Sequence, residues 1–390
     1  MARTASSYEK GGSGFGFYVH VPFCASRCGY CDFNTYTASE LGREVKVSRE
    51  NYAEYVREEI RRAAALFGRP PRIDTVFFGG GTPTLLDAAD LVAIVGELDD
   101  AFGLEPDAEV TTEANPESVD PAYLRELRDG GFTRLSIGMQ SAAGHVLRVL
   151  ERNHTPGRAL DVVGEARDAG FEHVSLDLIY GTPGERAEDF AETLRQAVAT
   201  DIDHLSAYSL IVEEGTALAR RVRSGEVPQP SDDVAADRYL AAEEILTGAG
   251  FSWYEVSNWA RSEDARCRHN VLYWDGGHWW GAGPGAHSHL PGLRWWNVKH
   301  PARYGECLTP ESSLPVADGE ELTQGDKHLE TILLRTRLST GLPLDLPGSD
   351  TRPVIDRLSD EGLVVVDDDR LRLTLRGRLL ADRVVRDLTG

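Results

Sequence analysis

One pattern constrains this chain more than any other. A short β-branched or aromatic run, a turn signal and then a helical stretch recur six times before residue 225. The runs are Phe17–Val21, Asp74–Phe78, Glu109–Glu113, Arg134–Gly138, His173–Ile179 and His204–Leu210. They have the length and residue types of buried strands. Between them lie helical patterns at Asn51–Phe67, Ala88–Phe102, Pro121–Asp129, Pro156–Ala169 and Glu185–Ala199. In the first, Tyr52, Val56, Ile60, Ala63 and Phe67 recur at steps of three and four, which places them on one helix face. Strands alternating with helices predict an α/β fold with a parallel sheet, curved or doubly wound. The polar and glycine-rich segments fall just after the strands, on the end of a barrel where active sites are built.

The character changes near residue 225. A Pro-containing linker (227–231) leads to a helix at Val234–Leu246 and then to a Trp-, His- and Gly-rich stretch from Trp253 to His300. From residue 322 the order is helix, helix, hairpin, helix, the hairpin joining Leu363–Val366 to Leu371–Leu375. This predicts a small α+β, winged-helix-like unit. The expected organisation is a flexible tail (1–16), a partial barrel (17–225), a Trp/His-rich extension (226–321) and the terminal unit (322–390).

With 41 basic and 63 acidic side chains the formal charge is −22, which argues against nucleic acid as a partner and for the terminal unit as a structural or protein-docking element. No run approaches the ~18 apolar residues of a spanning helix, so no stable membrane anchor is expected. Five cysteines, an odd number with three inside eight residues, do not form a disulfide framework and point to reduced thiols in the cytoplasm.

Those three are Cys24, Cys28 and Cys31, in Tyr18-Val-His-Val-Pro-Phe-Cys-Ala-Ser-Arg-Cys-Gly-Tyr-Cys-Asp-Phe. Three thiolates on one loop can hold three irons of a cubane cluster and leave the fourth iron open, as a reactive rather than a structural site requires. The alternative is zinc with His20 as fourth ligand, but no second cysteine pair lies downstream and His20 falls in a strand.

Cys-x3-Cys-x2-Cys after Tyr-x-His-x-Pro-Phe resembles the radical S-adenosylmethionine (SAM) superfamily. Within it, the chain is similar to the group of oxygen-independent coproporphyrinogen III dehydrogenases and HemW-type haem chaperones, over nearly its whole length after the tail. The resemblance implies a partial (β/α)6 barrel holding a [4Fe–4S] cluster whose unique iron is chelated by SAM. In active enzymes of the superfamily an electron from the cluster cleaves SAM to methionine and a 5′-deoxyadenosyl radical.

By match to the family's motifs, Gly80, Gly81 and Thr82 of the Gly-Gly-Gly-Thr-Pro segment contact the methionyl part of SAM. Glu113, Gln140, Arg152 and Asp177 fall at further SAM-contact positions, and Tyr18 and Tyr30 flank the cluster. An acid such as Asp177, set between leucines on a buried strand, is costly unless paired or ligand-bound. An Arg fork suits the methionine carboxylate.

The dehydrogenase carries a further Cys two residues after the third; here Phe33 stands there, as in HemW-like chains. The segment His269-Asn-Val-Leu-Tyr273-Trp274 resembles the one associated with haem binding in those chaperones. It implies haem as cargo, apo-haemoproteins as partners and His269 as a candidate iron ligand, with Cys267, His278 and His287 as rivals and Cys307 an ordinary thiol. Haem chaperone is therefore the expected function. The dehydrogenase is the alternative, so whether the chain is an enzyme stays open, as does a possible homodimer.

Overall fold

The computed structural model describes residues 1–8, 10, 14–42, 46–152, 155–309, 313–348 and 351–390. Six parallel strands form its centre: β1 (Phe15–Val21), β2 (Ile73–Gly80), β3 (Leu104–Ala114), β4 (Arg134–Gln140), β5 (His173–Tyr180) and β6 (His204–Ser209), paired in chain order. Helices Tyr52–Leu66, Ala88–Ala101, Pro121–Asp129, Arg158–Asp168 and Ala187–Val198 connect them, within two residues of the expected bounds. Local chemistry explains such agreement. At Pro121, for example, the Asp120 carboxylate accepts from the amides of Ala122 and Tyr123, and the proline occupies the first turn, where its missing N–H costs nothing.

Alternation along the strands divides the chain's apolar and polar surface. Val76, Phe78, Val110, Leu135, Ile137, Val174, Leu176, Leu178, Leu205 and Ala207 are buried in the main core. The residues between them face the barrel interior and are mostly polar.

Two expectations are revised. Residues 1–16 do not simply trail away. Ala2–Ser6 is helical, and Ala5 and Tyr8 belong to the main core, with the Tyr8 ring 5.5 Å from that of Phe15. Residues 9 and 11–13 of the expected tail lie outside the described residues. The Trp/His-rich extension, expected as a segment distinct from the barrel, lengthens the same sheet at both edges. β7 (Ser252–Glu255) and β8 (Asn258–Ala260) add beside β6, whereas β9 (His278–Ala282) pairs parallel with β1. β10 (His287–Leu290), β11 (Leu293–Asn297) and β12 (Val316–Glu321) follow antiparallel, completing a twelve-stranded sheet. Between the two edges the chain crosses beneath the barrel as the helix Arg268–Trp274.

A buried carboxylate ties this extension to the barrel. Glu59, on the first long helix, accepts from Gly283 N (2.9 Å), Asn297 Nδ2 (2.7 Å) and Tyr304 Oη (2.5 Å). Three donors offset the cost of burying the acid, whose pKa burial still pushes up to about 7.

The terminal unit has its own core around Ile332, Leu342, Ile355, Leu358, Leu371 and Val384. Its sheet pairs β13 (Leu342–Pro343), β15 (Arg370–Leu373) and β14 (Val364–Asp367) in that order, between helices Gln324–Arg335, Arg352–Asp360 and Ala381–Thr389. A bidentate Arg378–Glu243 pair, both contacts 2.8 Å, fastens it to helix Asp232–Gly248, and the same guanidinium lies over Trp253.

Candidate cofactor site

The strands' carboxyl ends open into a cavity of about 740 Å3 that is lined by Cys24, Cys28 and Cys31 together with every SAM-contact residue expected from sequence. This is within the size range of pockets that take one cofactor-sized ligand.

The cysteine loop is closed at its base, where Cys24 N donates to Tyr36 O (3.0 Å) and Tyr36 N to Pro22 O (2.7 Å). Its middle is pinned by Gly29 N to Leu150 O (3.2 Å) and by Leu218 N to Gly29 O (2.7 Å). The three thiols are free and partly exposed. Burial raises the Cys24 pKa to about 11 and also raises that of Cys31, so without metal these two remain thiols. Bound iron would supply the charge that turns them into thiolates. Among the described residues no three His, Cys, Asp or Glu side chains converge to hold a single ion. His20, the fourth ligand of the zinc alternative, has both ring nitrogens engaged, Nδ1 with Tyr18 Oη at 3.0 Å and Nε2 with Asn34 O at 2.9 Å.

The glycine segment lies directly against the cysteine loop. Gly81 N donates to Val21 O (2.7 Å) and Thr82 N to Phe23 O (2.8 Å). A Cβ on Gly81 would sit 2.4 Å from Phe23 O, and Gly80, at φ +110°, would drive one to 2.6 Å from the His20 ring. Only glycine brings this backbone so close to the cluster loop.

Arg152 reaches in from the other side. Its Nη1 lies 3.4 Å from Cys28 Sγ, its Nη2 donates to Gly138 O (3.1 Å), and its buried Nε has no hydrogen-bond partner among the described residues. A buried donor without a partner is costly unless a ligand completes it. Gln140, at φ +64°, turns the chain at the end of β4 and brings its amide beside Gly138. Tyr18 and Tyr30 line the same cavity. Glycine cradle, thiol trio and waiting guanidinium together fit a [4Fe–4S] cluster carrying SAM.

Two carboxyls complete the pocket. Asp177 sits among hydroxyls, with Ser136 Oγ 2.9 and 2.8 Å from its two oxygens and Ser206 and Ser175 also bonded to it, and burial raises its pKa nonetheless. Glu113 accepts from Gly80 N at 3.3 Å; burial first, and then the Asp177 charge, push its pKa up to about 8. Glu113 is therefore protonated at pH 7 in the cofactor-free protein. A ligand ammonium beside it favours the carboxylate. SAM binding at pH 7 is expected to release up to about one proton, and Glu113→Gln to abolish that release, as titration calorimetry in buffers of different ionisation enthalpy can measure. The sign of the stability effect follows from the same linkage. Because the folded pKa lies above the usual value, this group's stabilising contribution is complete at low pH and is lost as pH rises through about 8.

His269 lines the same cavity at its floor, with Cys267, Asn270 and Tyr273. It lies on the helix that plugs the barrel floor, its Nδ1 2.8 Å from Thr75 Oγ1 and its Nε2 2.7 Å from Tyr273 Oη, and it is almost wholly buried. Thr75 is near the start of β2 and Gly80 at its end, so His269 and the glycine segment are separated by five residues of strand, about 16 Å. Burial lowers the His269 pKa to about 3, so the imidazole is neutral. Cys267 is buried beside Glu109, and burial raises its pKa.

Sequence reasoning missed the polar lining below the SAM positions: Thr111, Arg134, Ser136, Ser175, His204, Ser206 and Tyr208. The signal was present. Polar residues recur at every second position, as in Arg134-x-Ser136-x-Gly138-x-Gln140 and His204-x-Ser206-x-Tyr208, on strands otherwise apolar enough to be buried on both faces.

Fold and site together define a radical SAM protein. Residues 18–197 match the Radical SAM superfamily, and residues 322–380 match the HemN C-terminal domain. The chain is 52% identical over 379 residues to Heme chaperone HemW of Mycobacterium tuberculosis, covering 97% of this chain and 96% of that one. It is 30% identical over 377 residues to Heme chaperone HemW of Bacillus subtilis, covering 94% and 97%. The mitochondrial Radical S-adenosyl methionine domain-containing protein 1 of Danio rerio is 32% identical over 389 residues, 94% and 85% of the two chains. Among solved structures, coproporphyrinogen III oxidase (HemN) of Escherichia coli, a radical SAM enzyme, superposes with a TM-score of 0.82 over all of this chain and 92% of that one; at 24% identity this shows a shared fold. The chain belongs to the HemW family of the radical SAM superfamily.

Proposed function

We propose that this chain binds haem and delivers it to apo-haemoproteins in the cytoplasm. A SAM-ligated [4Fe–4S] cluster at the barrel mouth would serve assembly or transfer. Likeness to Heme chaperone HemW along 97% of the chain carries this reading. Phe33 supports it, standing exposed at the cavity mouth where the dehydrogenase has its further cysteine. Among the described residues no helix is long and apolar enough to cross a membrane.

In this reading Cys24, Cys28 and Cys31 hold the cluster, Arg152 pairs with the methionine carboxylate of SAM, and Glu113 takes its ammonium. Asp177, held by serines, accepts from the ribose hydroxyls, and the glycine backbone lines the methionyl end. When bound, cluster and SAM supply one-electron chemistry in a site shielded from bulk water.

A radical SAM enzyme is the second reading, favoured by the polar depth of the cavity below the SAM positions. One pair of assays separates the two. Haemin titration of reconstituted protein is expected to shift the Soret band, and the haem to pass to an apo-cytochrome. Anaerobic incubation with coproporphyrinogen, SAM and reductant is expected to release no carbon dioxide. Failure of both haem assays, or stoichiometric loss of two carboxyl groups, would reject the chaperone reading.

A further inference from the structure

A row of polar side chains enters the cofactor cavity from beyond the six parallel strands. It begins at Tyr254 on β7, the outermost strand at the β6 edge of the sheet. The Tyr254 ring packs with Ala260, Ala265 and Val271, so its hydroxyl is a buried polar atom in an apolar cluster. Such a group is costly unless hydrogen-bonded. Its oxygen lies 2.8 Å from His204 Nε2, and His204 Nδ1 lies 2.8 Å from Ser175 Oγ. Ser175 and His204 are direct neighbours across β5 and β6, and Ser175 shares the inner face of β5 with Asp177, two residues on. There it bonds the Asp177 carboxyl, as Ser136 and Ser206 do.

The protons in this row have a direction. Burial lowers the His204 pKa well below its usual value, so the ring is neutral and carries one N–H. An ionised Asp177 only accepts, so Ser175 gives it its single proton. The Ser175 oxygen then accepts from His204 Nδ1–H, and His204 Nε2 accepts from the Tyr254 hydroxyl. Every donor points toward the carboxylate, and bonds aligned in this way polarise one another.

The surroundings of Asp177 make this support necessary. Burial raises its pKa, against the lowering by its three serines and by the charge of Arg134 on β4. The Glu113 carboxyl on β3 and Tyr208 on β6 also face it, and burial keeps the Tyr208 hydroxyl uncharged. The Arg152 guanidinium bonds Gly138 O, on the residue paired with Asp177.

We infer that Tyr254 and His204 are positioning residues for SAM, acting through Ser175 to hold Asp177 as the carboxylate that accepts the ribose hydroxyls. This rests on the SAM site proposed above. It also gives the 226–321 segment a part in cofactor binding, since that segment supplies Tyr254.

The test is the pH dependence of SAM affinity in anaerobically reconstituted full-length protein. The acid limb that disappears in Asp177→Asn belongs to Asp177. Loss of a donor raises the Asp177 pKa, so binding should fail at a higher pH on acidification. Ser175→Ala removes a donor to the carboxylate itself and is expected to move that limb up by about one pH unit. His204→Leu and Tyr254→Phe should move it less, in the same direction, and His204→Asn, with a donor where Nδ1 stands, should keep it in place. Tyr254→Phe deletes one oxygen and preserves the ring's packing, so it breaks the row without emptying the core. An unmoved limb in Tyr254→Phe, or affinity lost equally at every pH, would overturn the inference and leave the SAM site standing. No SAM binding by the unsubstituted protein would overturn the site itself, and this inference with it.

Discussion

Anaerobically reconstituted Cys28→Ser protein is expected to retain little iron and to lose the broad visible absorption of the cluster, while folding like the parent. The magnitude follows from the number of ligands. A cubane with one corner given to SAM has three protein thiolates and no spare, so removing one leaves two irons without a protein ligand. No other sulfur can replace it. Cys267 is buried at the opposite end of the barrel, held beside Glu109, and Cys307 closes a helix outside the cavity. Folding should survive because the loop is pinned by backbone bonds from Gly29, Cys24 and Tyr36 rather than by its sulfurs. Iron and sulfide analysis beside far-ultraviolet circular dichroism decides the matter. Stoichiometric iron in Cys28→Ser would mean that the thiol trio is not the ligand set.

Gly81→Ala should damage both the fold and SAM binding. The added methyl would meet a backbone oxygen, Phe23 O, at 2.4 Å, and a backbone atom cannot rotate aside. To admit it the glycine segment must leave the end of β1, stretching the two bonds from Gly81 N and Thr82 N. Loss of both costs roughly 1–3 kcal/mol, visible as a lower denaturant midpoint. Because the displaced segment forms one wall of the cofactor pocket, SAM affinity should fall by more than about ten-fold, since 1.4 kcal/mol already gives that factor. Gly96→Ala provides the contrast. That glycine is mid-helix and exposed, with nothing near its added carbon, so the substitution should stabilise by about 0.4–1 kcal/mol through the unfolded chain and leave SAM binding unchanged. Equal behaviour of the two variants would show that the close approach at Gly81 is unimportant.

Much of the site was legible before any coordinates because its chemistry is local in sequence. Three thiols within eight residues and a Gly-Gly-Gly-Thr-Pro run after a strand carry their meaning without tertiary information. Single side chains such as Asp177 and Gln140 were found only through resemblance, and the serines that hold Asp177 were not found at all. A Ser on an otherwise apolar strand reads as a tolerated core residue until three strands bring Ser136, Ser175 and Ser206 around one carboxyl. The N-terminal helix escaped detection for a related reason. Five residues cannot sustain a helix alone, and only burial of Ala5 and Tyr8 against the barrel accounts for it.

The amino-acid order by itself determined the strand–helix alternation, the helix ends and the cluster loop, since period, capping and ligand spacing act within a few residues. Only the tertiary structure decided how the buried histidines are partnered. Whether an imidazole nitrogen is available depends on partners far away in the chain, as with Thr75 for His269 or Tyr254 for His204. Those partners meet only when the 226–321 segment divides between the two edges of the sheet and its connecting helix closes the barrel floor.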